Sequence, residues 1–97
     1  MGYQRELGRN RLEPLIITLN DQNPTIRYRA ADALGEIKDF RAVEPLISAM
    51  KNNPGSPSEE AARASSKITG EHFGNRPEEW QKWWDQVKEK YLEKVKH

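Results

Sequence analysis

Hydrophobic positions near the start of the chain recur at the spacing of one helical face. Leu12, Leu15, Ile16 and Leu19 stand at positions i, i+3, i+4 and i+7, which is the period of an amphipathic helix. The polar segment 20–23 interrupts this pattern. The sequence therefore predicts a short helix followed by a turn.

A second helix is predicted from Pro24 to about Ile37. Asn23 can accept hydrogen bonds from the free N–H groups of a first helical turn, and a proline at the first helical position needs no such bond. The apolar stripe of this helix predicts its buried side, and its members are Ile26, Ala30, Ala33, Leu34 and Ile37. The first two helices should form an antiparallel hairpin.

The pattern then restarts with a second hairpin. Asp39 is a candidate N-cap, and a third helix is predicted from its apolar face of Val43, Leu46, Ile47 and Met50. The segment 51–58 is rich in proline and glycine and predicts a loop. A fourth helix should follow and end near Gly70, because glycine suits a left-handed C-cap.

The three tryptophans of the chain mark a fifth helix. Trp80, Trp83 and Trp84 lie within five residues, after Pro77, which suits a first helical turn. One stripe combines Trp80, Trp84, Val87, Tyr91 and Val95, with Trp83 beside it. The opposite face is almost entirely charged, so we expect the stripe to cover an apolar surface.

Two blocks of the chain repeat at an offset of 31 residues. Glu-Pro-Leu-Ile at 13–16 returns at 44–47, and the alanines and isoleucine of 30–37 return at 61–68. Self-similarity at this period is typical of solenoids, in which each unit buries its apolar face against its neighbours. Two units are fewer than the three that solenoids usually need, so self-association through an uncapped end stays open.

Composition excludes several classes of function. The chain has 97 residues, 16 basic and 15 acidic side chains, a net charge of +1 and no cysteine, so it lacks a thiolate metal site, a cysteine nucleophile and the basic excess of a dedicated nucleic-acid binder. Residues 1–10 carry charge and no apolar run, which argues against a signal peptide. We expect a cytoplasmic protein, or an exported one if a signal has been removed.

The repeated residues resemble a known family. Leu12-Glu13-Pro14-Leu15-Ile16, then Asn23-Pro24, then Ala33-Leu34-Gly35, then Arg41 to Ile47 are similar to HEAT-like repeats of the phycobilisome-lyase type. The resemblance implies an all-α fold, a short right-handed α-solenoid of two HEAT-like helical hairpins plus a C-terminal Trp-rich capping helix. It divides the single domain into repeat 1 at 11–38, repeat 2 at 39–70 and the capping helix at 71–97, with 1–10 as an N-terminal cap or remnant.

The resemblance also places a partner surface on the second helix of each unit. Such helices line the concave face of the solenoid, and Arg27 and Asp39 would make polar bonds between units. A helical wheel agrees, because Tyr28, Asp32 and Glu36 lie away from the apolar stripe. The candidate partner-binding residues are Thr25, Tyr28, Arg29, Asp32, Glu36, Glu59, Glu60, Arg63 and Lys67, together with Trp83. A solvated helix face is the alternative at each position, and covering of the solenoid end is the alternative for the tryptophans.

No residue pattern in the sequence indicates catalysis or metal binding. Glu13 and Glu44 lack a neighbouring base or nucleophile, and His72 and His97 lack the spacing of metal ligands. We therefore expect no enzyme activity, no catalytic residue, no cofactor and no metal, but a scaffold that binds a protein through the concave face. Nucleic-acid binding and a role related to bilin lyases or isomerases, which the resemblance brings in, are the alternatives. No membrane association is expected.

Overall fold

A computed structural model of the chain describes residues 12–52 and 56–95. These residues form five α-helices, with no strand among them. The helices are α1 (12–18), α2 (Pro24–Ile37), α3 (Val43–Asn52), α4 (Ser56–Thr69) and α5 (Pro77–Val95), and a 3-10 turn at Phe40–Ala42 leads into α3. The fold is the short all-α solenoid that the repeat predicts. The proposed N-terminal cap at 1–10 lies outside the described residues.

Local caps explain where the helices begin and end. The Asn23 side chain accepts a hydrogen bond from the Thr25 N–H at 2.9 Å, and α2 starts at Pro24, as the sequence predicts. Asp39 accepts from the Arg41 N–H at 2.8 Å and so caps the 3-10 turn. The helix α4 ends before Gly70, which takes a positive φ of 81°. These bonds satisfy backbone groups that a helix end leaves free.

One apolar core joins the two hairpins. The helices α2 and α4 lie side by side, α3 packs against α4, and α5 packs against α3 and the 3-10 turn. Leu34, Val43, Leu46, Ile47 and Trp80 are fully buried in this core. The second helix of each unit therefore has one side in the core and another side free for solvent or for a neighbouring helix.

The predicted buried side of α2 is wrong at Ile26. Ile26 is 40% exposed, whereas Ala31 and Gly35, which the apolar stripe omits, are buried. A Cβ built on Gly35 would lie 3.1 Å from both the Cα and the Cβ of Ala64. The buried arc of α2 is thus rotated toward its small residues, because α4 approaches the helix on that side.

Candidate second-helix surface

The exposed sides of α2 and α4 form one surface, here called the second-helix surface. It carries nine of the ten predicted site residues, which are Thr25, Tyr28, Arg29, Asp32 and Glu36 on α2 and Glu59, Glu60, Arg63 and Lys67 on α4. The two helices are in direct contact. All nine are exposed except Glu60, which is only 3% exposed. The structure therefore brings together residues that the repeat assigned to separate units.

Ion pairs tie the two halves of this surface together. Lys67 Nζ lies 2.9 Å from a carboxylate oxygen of Glu36 and 3.8 Å from one of Asp32. The hydrogen bond and charge of Lys67 lower the pKa of Glu36, and the same bond raises the pKa of Lys67. Glu36 and Lys67 are 31 residues apart, so they occupy the same position in successive units. The repeat has placed opposite charges at equivalent positions, where they meet across the junction.

Glu60 is the buried member of the surface. Its carboxylate lies 3.2 Å from Arg63 Nη1, and the side chains of Asp32 and Tyr28 on α2 also influence its pKa. Burial is the main reason why the pKa of Glu60 is raised, and the nearby charge of Asp32 raises it further, against the opposing charge of Arg63. A second carboxylate beside a buried one favours the protonated form, because both cannot easily be charged at short distance. Glu60 therefore belongs to the helix junction, where its side chain is only 3% exposed.

Tyr28, Arg29 and Arg63 are large exposed side chains of this surface. The Tyr28 side chain is 42% exposed, Arg29 is exposed, and the Arg63 side chain is 63% exposed although it contacts Glu60. Tyrosine and arginine are enriched among residues that dominate protein interfaces, because each combines a large apolar body with a polar end. The surface can therefore bind a partner that has both apolar and charged groups.

Within the part of the chain that the structure describes, Arg27 and Asp39 bond inside their own units and not, as the resemblance implied, between units. Arg27 Nη1 donates to the backbone oxygens of Asp21 and Gln22 at 2.7 and 3.2 Å, within its own unit. Asp39 accepts two bonds from the Arg41 guanidinium, at 2.7 and 3.0 Å, and this bonding lowers the pKa of Asp39. Both residues brace the turn next to them, because the short polar turns leave backbone groups for a nearby side chain to satisfy.

Trp83 belongs to a separate aromatic cluster. Its ring lies about 6.1–6.2 Å, centre to centre, from the rings of Phe73, Trp80, Trp84 and Tyr91. Trp83 is half-buried, whereas Trp80 and Trp84 are fully buried. The helix that carries it packs against α3, and the second-helix surface lies on α2 and α4. The tenth predicted residue is thus on a different part of the molecule.

An open groove of about 620 Å³ runs along the far side of α4. Its α4 side includes Ala62 and Ser66, and the opposite side includes His72 and Asn75 from the segment that leads to α5. Glu59, Arg63 and Lys67, which the sequence predicted as site residues, also line the groove. The sequence prediction missed the other groove residues, since none of them carries an obvious binding chemistry. The 31-residue offset is the signal that could have found them, because it makes Ala62 and Ser66 the equivalents of Ala31 and Gly35.

Comparison with known proteins gives one match. A family model for HEAT repeats matches residues 10–75, more than half of the chain. This match covers α1 to α4 and stops before α5 begins at Pro77. No curated protein and no solved structure matches the chain. Among the described residues, no helix is long and apolar enough to cross a membrane.

Proposed function

The chain belongs to the HEAT repeat family, and we propose that it is a non-catalytic module that binds a protein partner through the second-helix surface. The observation that carries the proposal is that Tyr28, Arg29 and Arg63 lie on one exposed surface formed by two helices. Solenoids of this type present extended surfaces built from successive units. We further propose that the repeats are of the phycobilisome-lyase type and that α5 closes the solenoid.

The charge balance of the surface favours a protein partner over a nucleic acid. Three bases stand beside four acids, and Lys67 is paired with Glu36 and Asp32. A nucleic-acid interface needs bases that are free to neutralise phosphates. Paired charges of both signs instead suit a surface that meets mixed charges on a folded partner.

The packing of α5 supports its closing role. Trp80 is fully buried and its Nε1 donates to the Gly74 oxygen at 2.7 Å, while Phe73 meets its ring edge-on with centres 4.9 Å apart. Tyr91 stacks on Phe40 at 4.3 Å. The helix thereby covers α3 with aromatic rings and turns its charged side outward, as a terminal cap of a solenoid requires.

Capture of partners from a cell extract tests the proposed surface. The immobilised chain is compared with Tyr28→Ala and Arg29→Glu, and bound proteins are identified by mass spectrometry. Both changes should reduce recovery of the same partner by about tenfold or more if they remove contacts at the centre of an interface. The matched control is Lys82→Glu, which reverses an exposed base on α5 and should leave recovery unchanged.

Two results would contradict the proposal. Equal recovery by all three variants, with unchanged helical circular dichroism, would remove the second-helix surface from binding. Binding of a labelled DNA duplex that weakens steeply with salt would instead indicate a nucleic-acid module.

A further inference from the structure

We infer that the groove beside α4 is a docking site for a helix of a partner protein, one that carries a small residue followed three positions later by a carboxylate. The inference rests on the proposed protein-binding role and adds the structural class of the partner. The groove shares Glu59, Arg63 and Lys67 with the second-helix surface and extends from them toward Ala62, Ser66 and the segment 72–75.

The repeat itself shows what kind of ligand the groove fits. In the first unit, α2 receives α4 on a face that contains Ala31 and Gly35, and this face is buried. Ala62 and Ser66 occupy the equivalent positions on α4 and line the open groove. Residues four apart lie on the same helical face. The face of α4 that lines the groove is therefore equivalent to the face of α2 that packs against α4. A helix placed there would occupy the position of the next second helix in a longer solenoid.

The charges beside the groove define the ligand further. At the junction of α2 and α4, the acids Asp32 and Glu36 face Lys67. Their equivalents at the groove are Arg63 and Lys67, so the charge at these two positions is reversed. Arg63 also contacts Glu60 and Lys67 contacts Glu36, and Glu59 lines the groove beside them. If an incoming helix packs against α4 as α4 packs against α2, its residue equivalent to Lys67 will lie beside Arg63 and Lys67. A glutamate or aspartate at that position would be stabilised, and a lysine would be repelled.

The size of Ser66 limits the residue that faces it. Gly35 lets Ala64 come so close that an added Cβ would lie 3.1 Å from the Ala64 Cα. Ser66 already has a Cβ and a hydroxyl at the equivalent position. The incoming helix must therefore place alanine or, better, glycine opposite Ser66, at its counterpart of Ala64. This gives the pattern of a small residue followed three positions later by an acid.

A synthetic helix provides the test. The probe is the α4 sequence, residues 56–69, with Lys67→Glu and a hydrocarbon staple that joins its own positions 59 and 63, because an isolated helix of this length is marginal in water. Those two positions lie on the side of the peptide that points away from the groove. The control peptide has the same staple and keeps lysine at position 67. Each is titrated into the full chain and followed by amide chemical shifts in nuclear magnetic resonance spectra.

We expect shifts at Ala62, Ser66 and Asn75, and binding of the glutamate peptide about five- to tenfold tighter than binding of the lysine peptide. In the Arg63→Glu variant of the chain this preference should disappear or reverse. Ser66→Trp should fill the groove and weaken binding by at least tenfold, whereas Ser48→Trp, at an exposed position on α3, should not change it.

Several results would overturn the inference. They are equal binding of the two peptides, shifts centred on Tyr28 and Arg29, and the absence of shifts at millimolar peptide. Groove shifts that appear on concentrating the chain alone would mean that a second copy is the occupant. This inference and the proposed function can fail independently. Loss of partner capture in Arg29→Glu tests the second-helix surface, whereas the preference between the two peptides tests the groove.

Discussion

Gly35 is the residue at which the close packing of the two units can be measured. We expect Gly35→Ala to lower the free energy of unfolding by about 1 kcal/mol. Alanine gains about 1 kcal/mol over glycine inside a helix. Its Cβ, however, would lie 3.1 Å from the Cα and the Cβ of Ala64. Because one of these is a backbone atom of a packed helix, α4 must shift, and overpacking of this kind costs about 1–3 kcal/mol.

A double-mutant cycle separates the contact from the helix propensity. Ala64→Gly alone should cost about 2 kcal/mol, from the lost propensity and the lost burial of a methyl group. The two propensity changes have opposite signs and cancel both in the pair Gly35→Ala with Ala64→Gly and in the sum of the single losses. The difference between pair and sum therefore reports the crowding, part of which the pair relieves. The double variant should therefore lose at least 1 kcal/mol less than the sum of the two single losses of about 3 kcal/mol.

Urea unfolding, followed by tryptophan fluorescence and by helical circular dichroism, gives the required free energies. The matched control is Ser66→Ala, the equivalent position on α4, which lines the open groove instead of a helix contact. This change should stabilise the fold by about 0.5 kcal/mol through helix propensity. If Gly35→Ala stabilises the protein as Ser66→Ala does, the close approach of α2 and α4 is refuted.

Three further changes test caps and charges. Lys38 ends α2 with a positive φ of 59°, so Lys38→Gly should raise the free energy of unfolding by about 1 kcal/mol in urea titrations, because a left-handed backbone disfavours side chains. Asn23→Ala should lower the melting temperature by about 4–8 °C in calorimetry, through loss of about 1 kcal/mol of capping. Since burial raises the pKa of Glu60, the folded state holds that proton to higher pH than the unfolded state, and stability is lost as the pH rises through the raised pKa. Glu60→Gln should therefore be more stable than the natural chain at pH 7 in urea titrations, because its exposed partner Arg63 contributes little. The difference should shrink as the pH falls, and a difference that is constant with pH would contradict this reasoning.

The helices were predictable because their ends are encoded locally. Asn23 before Pro24 and the glycine at 70 determine a start and a stop through backbone hydrogen bonds and allowed φ values, which involve only neighbouring residues. The burial of α2 was less predictable. A hydrophobicity pattern assigns Ile26 to the core and overlooks Gly35, yet a glycine is buried where another helix comes close, and hydrophobicity carries no information about that approach.

The sequence was enough to predict which residues belong to the second-helix surface, but not which of them contact each other. The offset of 31 residues identified Glu36 and Lys67 as equivalents with opposite charges. Their contact at 2.9 Å depends on the spacing and stagger of two neighbouring helices, which no single helical wheel contains. The burial of Glu60 has the same origin, because it lies where the two helices meet.

The pairing of equivalent positions has a consequence for the end of the solenoid. Within the chain, the acids of the first unit find their partners on the second unit, since Asp32 and Glu36 face Lys67. On α4 the same positions carry the bases Arg63 and Lys67, which line the groove, and α5 packs against α3. Two successive units that both carried the charges of repeat 1 would repel each other, because acids would meet acids at their junction. The charge reversal between units therefore selects what can follow α4, and it favours a helix that supplies a carboxylate.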